Sequence, residues 1–509
     1  MRIIQTADLT PTSLSTETEK LWVYNGLDCC VTAEVLDALL PQLDDVTGAT
    51  YSFSRDLQGP ALDMRLRGVL VDAERKSRVI SLFSEQISEL EDSLSRIAAE
   101  GLGIFGFNWR SNADLQTLFY SRLRIPVVRK AGRPTVNREA LEKMEAYFIA
   151  RPIIEHLVLL RELAKKIGVL KTDIDPDGRM RTSYNIAGTN TGRWSSSYSE
   201  FGTGTNLQNI EEILRSIFCA DPGMKMAYLD EPQGESRIVG AIEWNLFKDG
   251  RYLDACESGD LHTNVAKLCW PDIEWTGDPK QDRALAERPF YRHYDYRFMC
   301  KKIGHGTNYG GKPWTLSRQA KLDIGPIEEF QPKYFTAFPA HLRWHEHVRS
   351  QLQTRGCLTT LTGRRRWFFG RRDSDDTYRE ALAFDPQGSL ADILNRGMLS
   401  VWRASIAELL MQIHDAILIQ YPEETEDEVL PRVMEKLTQR VPLKHDRTLT
   451  LVPDIKTGWN WGNYCCGDKS RKGCESCRGD ANLDGLKSYA PGDKRKRSPK
   501  TSILDRFIP

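Results

Sequence analysis

One segment of the sequence, "RFMCKKIGHGTNYGG", carries two cations, an imidazole and a phenol at intervals of four residues. These are Arg297, Lys301, His305 and Tyr309. On an α-helix a step of four residues drifts by only about 40°, so the four side chains would share one face. A solvated basic surface is the ordinary explanation of such a face. Gly304 and Gly306 favour a binding function instead, because glycine weakens a helix but lets a flat ligand with an anionic tail lie close to the backbone.

Two aspartates stand where predicted strands end. Asp230 follows the apolar run "MKMAYL", and Asp415 lies in "QIHDA" between two apolar runs, as at the tip of a hairpin. Alone, each has an ordinary structural explanation, a helix cap for Asp230 and a turn for Asp415. At the ends of neighbouring strands, the two carboxylates would instead bind two divalent cations, which stabilise the attacking and leaving oxygens of phosphoryl transfer. Oxygen ligands and a phosphate substrate favour Mg²⁺.

The composition is that of a globular protein without a global charge signal. Among 509 residues 40% are hydrophobic, and Lys+Arg and Asp+Glu both total 70. Affinity for a polyanion must therefore come from local clusters, which are basic at 362–372 and 492–500 and acidic at 421–430. No apolar run has the length of a membrane span and the N-terminus lacks a signal-peptide core, so we expect a soluble, cytoplasmic protein.

Four of the eleven cysteines cluster near the C-terminus. They are Cys465, Cys466, Cys474 and Cys477. Their spacing is plausible for a small structural zinc site, although the loop is shorter than in most zinc ribbons. Reactive or unbound thiols are the alternative. The other cysteines are mostly scattered singly, as expected of reduced core thiols.

Hydrophobic periodicity divides the chain into helical and mixed parts. Residues 12–50 and 55–171 have helical spacing with few breakers. Around "KMAYLD", "TLTGRRRWF" and "LLMQIHDAILIQYP" the period changes towards strands. After Trp461 the sequence becomes polar, glycine-rich and basic, so we expect a tail there.

These segments together resemble DNA polymerases of family A, the DNA polymerase I-like enzymes, and in detail their bacteriophage branch. Three blocks match in the correct order: "DEPQGESR" and "QIHDA" resemble the first and last palm motifs, and "RFMCKKIGHGTNYG" resembles the fingers helix. Further similarity lies in "TGRWSSS", "NLQNI" and "DPQGSLADI", and it extends over about residues 55–463. The resemblance implies an α+β fold shaped like a right hand, with an antiparallel palm sheet and a mainly helical thumb and fingers.

The resemblance also implies domain boundaries and an activity. The expected domains are an exonuclease remnant (1–50), the thumb (51–180), the palm (181–240 and 376–464), the fingers (241–375) and a Cys-containing basic tail (465–509). The implied activity is template-directed addition of deoxynucleotides to a primer 3′-hydroxyl by two-metal-ion phosphoryl transfer, in phage DNA replication within a bacterial cytoplasm. The implied partners are primer–template DNA and deoxynucleoside triphosphates.

Individual residues receive roles from the same resemblance. Two Mg²⁺ would be held by Asp230 and Asp415, helped by the backbone carbonyl of Glu231. The residues that would bind the nucleotide are Arg297 and Lys301 at its phosphates, the latter also catalytic, His305 beside the sugar and base, Tyr309 at the insertion site, and His262, Gln233 and Glu235. The residues that would touch the primer terminus and minor groove are Arg193, Gln387 and His414.

Two positions depart from the family pattern. Ala416 replaces the acid that usually follows the last catalytic aspartate, and Glu231 is expected to restore negative charge beside Asp230. A single-subunit RNA polymerase would share much of this site, but Glu235 resembles the glutamate that excludes ribonucleotides. A non-catalytic DNA-binding subunit is the other alternative, and it would have little reason to keep both aspartates and Lys301.

Both ends of the chain resemble attachment points. "YNGLD" places Tyr24 and Asp28 in the spacing of the third proofreading-exonuclease motif, whose companion motifs should lie far upstream. We therefore expect no 3′-to-5′ exonuclease activity from this chain alone, and either a decayed nuclease or a separate nuclease subunit docked on residues 1–50. An ordinary helix is the alternative. Leu504 and Phe507 resemble a degenerate sliding-clamp peptide, for which an inert basic tail is the alternative.

Overall fold

The computed structural model of the chain describes residues 16–466, 481–492 and 495–497. A five-stranded antiparallel sheet lies at the centre of this part. One helical lobe precedes the sheet in the chain, and a second interrupts it. None of the helices in the described ranges is long and apolar enough to cross a membrane. Leu504 and Phe507, the predicted clamp peptide, lie outside these ranges.

Helices dominate residues 16–170, as the periodicity predicted. The elements are α1 (Glu17–Leu39), α2 (Asp45–Asp56), α3 (Gln58–Arg67), β1 (Val69–Val71), α4 (Ala73–Arg96), α5 (Asn112–Gln116), β2 (Arg129–Lys130), β3 (Arg133–Pro134), α6 (Arg138–Met144), α7 (Arg151–Leu170) and β4 (Arg179–Met180). The long helices α4 and α7 pack against each other. They bury Leu94, Leu157 and Leu160, which belong to the apolar stripes that their spacing predicted.

The first two helices differ in how they attach to the rest of the protein. No residue of α1 is buried, and Leu21 and Trp22 are 57% and 68% exposed. By contrast, α2 is held at both ends by ion pairs. Asp44 accepts a hydrogen bond from Arg365 at 2.7 Å, and Asp56 accepts one from Arg403 at 2.7 Å.

The chain then enters the central sheet. The elements are β5 (Ser183–Asn185), β6 (Ser195–Ser197), β7 (Phe218–Cys219), β8 (Met224–Asp230) and α8 (Gly234–Phe247). β7 pairs with β1, which in turn pairs with β4, in a small sheet of three strands. Since β1 belongs to the first helical lobe, this small sheet joins that lobe to the chain that forms β8.

The second helical lobe lies between α8 and the return of the chain to the sheet. The elements are α9 (Arg251–Glu257), α10 (Leu261–Cys269), α11 (Pro279–Ala286), β9 (Pro289–Tyr291), β10 (Tyr294–Asp295), α12 (Tyr296–Phe298), α13 (Gly304–Asn308), α14 (Pro313–Ala320), α15 (Ile324–Ala337), α16 (Pro339–Thr354), β11 (Cys357–Thr359) and β12 (Arg365–Trp367). A π-helical segment, Met299–Ile303, joins α12 to α13. The core of the second helical lobe is rich in aromatic side chains, among which Trp270 stacks on Phe330 with ring centroids 5.6 Å apart.

The last part of the chain completes the sheet. The elements are α17 (Asp375–Arg403), β13 (Glu408–Ile413), β14 (Ala416–Pro422), α18 (Glu426–Leu437), β15 (Gln439–Pro442), β16 (Thr448–Leu451), β17 (Asp454–Gly458) and β18 (Lys487–Ser488). The strand order is β13-β14-β8-β17-β18, with every neighbouring pair antiparallel. β13 and β14 are buried over nearly their whole length, which explains why their sequences are apolar throughout rather than alternating.

Part of the predicted tail belongs to this sheet. β18 pairs with β17, and Leu486 is buried in the core cluster that also contains Trp461. The prediction of a tail from residue 465 is therefore wrong for residues 481–489. Gly485 in this segment and Gly458 at the end of β17 reflect close packing, because an added Cβ would lie 2.5 Å from backbone at Gly485 and 2.6 Å from backbone at Gly458.

We expect Leu486→Ala to lower the free energy of unfolding by about 2–4 kcal/mol, because it removes a buried side chain and leaves a cavity. Lys487→Ala, at an exposed neighbouring position, is the matched control. Urea denaturation of both variants measures the difference. Equal stability of the two variants would contradict the assignment of this segment to the core.

Candidate active site

The two predicted carboxylates lie at the same edge of the central sheet. Asp230 is the last residue of β8, and its register partner on β14 is Ala416, the residue after Asp415. The backbone N–H of Glu231 donates to the carbonyl oxygen of Asp415 at 3.3 Å, which ties the two strand ends together. Asp230 does not cap α8, since that helix begins without a side-chain cap. The helix-cap explanation of Asp230 is therefore wrong.

The electrostatics of this edge suit a divalent cation. Burial raises the pKa of Asp415, and the guanidinium of Arg193 opposes that rise. The pKa of Asp230 is also raised, first by its low-polarity surroundings and then by the charge of Asp415. Two carboxylates that disfavour each other's ionisation, and that offer only oxygen ligands, fit Mg²⁺.

Arg193 is the cation bonded to Asp415 at this edge. Its Nη2 donates to Oδ1 and Oδ2 of Asp415 at 2.8 and 2.9 Å, and also to Glu235 on α8. The loop that carries Arg193 is packed tightly against α17, because a Cβ at Gly388 would lie 2.9 Å from the carbonyl oxygen of Thr191. Gln387 is half-buried and is the residue before that glycine on α17.

The backbone beside each carboxylate is strained. Gln233 has a φ of 57° and His414 a φ of 51°, a left-handed conformation that side chains other than glycine adopt at a cost. Gln412 stabilises the strained conformation of His414, because its Nε2 donates to the His414 carbonyl oxygen at 2.7 Å. The Oε1 atom of Gln233 is buried and has no hydrogen-bond partner among the described residues. Such an atom is suited to binding a ligand or a water molecule.

The predicted row of four side chains runs from α12 through the π-helical segment to the end of α13. The expected regular α-helix is wrong in its middle, where π-helical hydrogen bonds replace the α-helical ones over Met299–Ile303. Lys301 and His305 are exposed, and Lys301 makes no ion pair within the described part of the chain. At the end of the row, the hydroxyl of Tyr309 donates to Glu235. The side chain of Glu235 therefore joins Tyr309 to Arg193 and the Asp415 carboxylate.

The two glycines of this segment pack against the lobe's own core. An added Cβ at Gly306 would lie 2.4 Å from Leu316, and one at Gly304 would lie 3.3 Å from the ring of Tyr334. The interpretation that they admit a flat ligand is therefore wrong. They allow α14 and α15 to approach the helix from behind, so the exposed side chains of the row point away from that core.

The start of the row lies beside His262 and Asp260. Arg297 donates to Asp260 from Nε at 3.0 Å and from Nη2 at 3.2 Å. Burial, reinforced by the charge of Arg297, lowers the pKa of His262 to about 4. The imidazole is therefore neutral at neutral pH and can donate a single hydrogen bond. Asp260 was not predicted, and its position just before the "LHT" segment gave no signal of this ion pair.

The charge that Ala416 lacks is not restored by Glu231. The Glu231 side chain is 5% exposed, and burial raises its pKa to about 7, so it is only partly ionised at neutral pH. Another acid is better placed to supply this negative charge beside Asp230. Asp454 on β17 is the register partner of Asp230 on the side opposite Ala416, and its charge raises the pKa of Asp230. Asp454 could not be predicted from the sequence, because its proximity to Asp230 depends on which strand pairs with β8.

The remaining predicted residues lie apart from this edge or outside the described ranges. Tyr24 and Asp28 lie on α1, which has no buried residue. Cys465 is buried and pairs through its backbone with Asn482, whereas Cys474 and Cys477 lie outside the described residues. Among the residues that are described, no group of three or more His, Cys, Asp or Glu side chains could hold a metal ion.

The family model for "DNA polymerase family A" matches residues 74–463, well over half of the chain. The chain belongs to DNA polymerase family A. Its fold is the α+β right hand of this family, in which the central sheet is the palm and the two helical lobes are the thumb and the fingers.

Among similar curated proteins, a thermostable DNA polymerase I of Thermus filiformis is 28% identical over 456 residues, which are 83% of this chain and 49% of that protein. The DNA polymerase I of Deinococcus radiodurans is 28% identical over 454 residues, which are 85% of this chain and 44% of that protein. The chain therefore spans about half the length of these relatives.

A solved structure is similar in fold. It is the POL domain of Pol1 from M. smegmatis in complex with DNA primer-template and dNTP. The TM-score is 0.69 at 23% sequence identity, and the match covers 90% of this chain and 79% of that one. The similarity confirms the predicted fold class.

We expect Glu231→Gln to stabilise the protein more at pH 8 than at pH 5. The pKa of Glu231 is raised from 4.5 to about 7 in the folded state, so the wild-type protein loses stability as the pH rises between these two values. The amide that replaces this carboxyl group does not ionise, so the variant avoids this loss. The gain at pH 8 should be about 2 kcal/mol by linkage. Urea unfolding at both pH values measures it, with the exposed Glu89→Gln as control. The same gain at both pH values would contradict the assignment.

Proposed function

We propose that this chain is a template-directed DNA polymerase that adds deoxynucleotides to the 3′-hydroxyl of a primer. The observation that carries the proposal is the cluster at the palm edge. There Asp415, Arg193, Glu235 and Tyr309 form one continuous set of contacts, and Asp230 lies on the adjacent strand end. The cluster joins the end of the fingers helix to the strand ends. Membership of family A supports the activity.

The nucleotide would bind along the exposed row of the fingers helix. Arg297 and Lys301 offer cations to a triphosphate, and a phosphate oxygen would compete with Asp260 for the Arg297 guanidinium. His262, neutral because of its lowered pKa, would donate one hydrogen bond without adding charge. His305 and Tyr309 would lie beside the sugar and base. Glu235, fixed by Tyr309 and Arg193, would occupy the space of a ribose 2′-hydroxyl, which favours DNA over RNA synthesis.

The primer terminus would bind where Arg193 now contacts Asp415. A guanidinium that lies on a carboxylate can exchange that partner for the acceptor atoms of the minor groove. His414, which precedes Asp415, and Gln387 would contact the same strand. The exchange would leave the Asp415 carboxylate free to bind a cation.

Asp230 and Asp415, with the backbone carbonyl of Glu231, are the groups that would hold two Mg²⁺. When bound, the metals would supply charge stabilisation at the attacking and leaving oxygens. The chain's own contribution is to hold the 3′-hydroxyl in line with the α-phosphate and to surround the triphosphate with cations, since positioning and charge stabilisation account for most of the catalysis of phosphoryl transfer.

We expect Asp230→Ala and Asp415→Ala each to reduce primer extension by at least about 10³-fold, because charge stabilisation of this kind is a large part of catalysis. Binding of primer–template DNA should change little, since phosphate contacts of the thumb and palm hold the duplex. Single-turnover extension and a fluorescence-anisotropy titration measure the two quantities. Asp427→Ala, at an exposed acid far from the palm edge, is the control. Robust extension by either variant would contradict the site.

Several finer parts of the proposal rest on the resemblance. A role in phage replication stays a prediction, because the relatives described above are bacterial. The domain boundaries other than that of the tail, the clamp peptide and the zinc site likewise stay predictions. For proofreading, we propose a separate nuclease unit that attaches to α1, where Leu21 and Trp22 lie exposed and would be covered by a partner.

We expect the purified chain alone to leave a 3′-mismatched primer intact in the presence of Mg²⁺, because within the described part of the chain Asp28 belongs to no group of three or more His, Cys, Asp or Glu side chains that could hold a metal ion. Gel analysis of a labelled primer measures the removal. Asp28→Ala serves as the control for a contaminating nuclease. Mismatch removal that is lost in Asp28→Ala would show that the chain carries its own proofreading site.

A further inference from the structure

A row of buried polar side chains lies behind the fingers helix, on the side away from the proposed nucleotide site. Its members are Glu243 on α8, His341 on α16, Tyr334 on α15 and Asn308 on α13, and each is at most 1% exposed. We call these four residues the buried row. Glu243, Tyr334 and His341 lie outside the motifs that identify the family in the sequence, whereas Asn308 lies within the fingers-helix block, immediately before Tyr309.

The buried row is hydrogen-bonded from one end to the other. His341 contacts Glu243 through Nδ1 and the Tyr334 hydroxyl through Nε2, the latter at 3.2 Å. The Tyr334 hydroxyl donates to Oδ1 of Asn308 at 2.7 Å, and Nδ2 of Asn308 donates to the hydroxyl of Tyr252 at 2.9 Å. The row therefore ends on the residue that immediately precedes Tyr309.

Two further contacts hold the same turn of the fingers helix. His345 Nε2 lies 2.8 Å from the carbonyl oxygen of Asn308, and burial lowers the pKa of His345 to about 4, so the neutral ring donates this bond. Gln331 donates from Nε2 to Oγ1 of Thr307 at 3.0 Å and to the carbonyl oxygen of Gly311 at 2.8 Å. Polar contacts from α15 and α16 thus lie on both sides of Tyr309.

The palm helix α8 closes the arrangement into a ring. Glu243 begins the buried row, and Glu235, eight residues earlier on the same helix, accepts the hydrogen bond of Tyr309. A helix rises about 1.5 Å per residue, so α8 spaces the two carboxylates about 12 Å apart along its axis. The position of Tyr309 relative to Glu235 is therefore set through two routes, its own hydrogen bond and the buried row.

An apolar core would be a simpler way to pack these helices. Burying a carboxylate, an imidazole, a phenol and an amide costs free energy unless each group makes its hydrogen bonds. Hydrogen bonds are directional, whereas apolar contacts are not. The network therefore fixes the geometry of the helix end more narrowly than packing alone would.

We propose that the buried row positions Tyr309 against Glu235 and so sets how strongly the polymerase rejects ribonucleotides. The inference rests on the proposed function, since it assigns Glu235 to the space of the ribose 2′-hydroxyl. Tyr334, His341 and Glu243 are positioning residues in this account, because they act through Asn308 and Tyr309 and touch no substrate.

The test is Tyr334→Phe, which removes one hydroxyl and keeps the buried ring. Its control is Tyr421→Phe, which removes another fully buried hydroxyl, bonded to Glu426 at 2.8 Å in the palm. For each variant, kcat/KM is measured for a deoxynucleotide and for the matching ribonucleotide on one primer–template. The ratio of the two values does not depend on the fraction of folded enzyme, so a purely structural defect leaves it unchanged.

We expect Tyr334→Phe to lower the deoxy-to-ribo ratio roughly three- to tenfold, the range that one hydrogen bond is worth. Tyr421→Phe should leave the ratio at the wild-type value although both variants lower the melting temperature. A wild-type ratio in folded Tyr334→Phe would overturn the inference. If circular dichroism shows that Tyr334→Phe does not fold, Tyr252→Phe provides the same comparison, because it removes the hydroxyl that accepts the hydrogen bond of Asn308, and an unchanged ratio there would also overturn the inference. Absence of any extension by the wild-type chain would instead count against the proposed function.

Discussion

The pairing of β8 with β14 is the constraint on which the rest of the site depends. In this register Asp230 lies opposite Ala416, and Asp415 therefore falls in the turn beside it. A slip of one residue would move every side chain of β14 to the other face of the sheet. The slip is prevented because both faces are occupied: Leu229 and Ile417 are fully buried in one core cluster, and Leu418 is fully buried in another.

The second constraint is charge. Asp415 and Glu235 are partly buried beside the more exposed Asp230, and partly buried carboxylates left without a cation would destabilise the fold. Arg193 satisfies two of them at once. The same guanidinium is thus a structural counter-ion in the free protein and, in the proposed function, a contact for the primer. When DNA and metal bind, Arg193 would exchange Asp415 for the primer, and Asp415 would exchange Arg193 for a metal ion. The same charged groups would therefore serve both the free and the bound protein.

The sequence predicted the parts of the site that depend on local signals. Asp230 and Asp415 were found because an apolar run that stops at an acid marks a strand end, and the row of four because its spacing is regular. The prediction failed where distant segments decide the outcome. Asp454 and β18 take their places through pairing with β8 and β17, and the glycines at 304 and 306 serve α14 and α15, which periodicity within one segment does not show.

The two ends of the row that runs from Arg297 to Tyr309 make different contacts. Arg297 bonds within the fingers lobe, whereas Tyr309 bonds to the palm helix α8. Arg297 is paired with Asp260 inside the fingers, so its contacts stay within the lobe. Tyr309 is bonded to Glu235 on α8, and residues on either side of it are held by α15 and α16. The lobe is inserted between α8 and α17, and the Tyr309 end of the row is bonded to α8, whereas the Arg297 end is bonded to a residue of the lobe itself. The end that would face the sugar is therefore fixed, and the end that would face the phosphates is the one whose partner a ligand can replace.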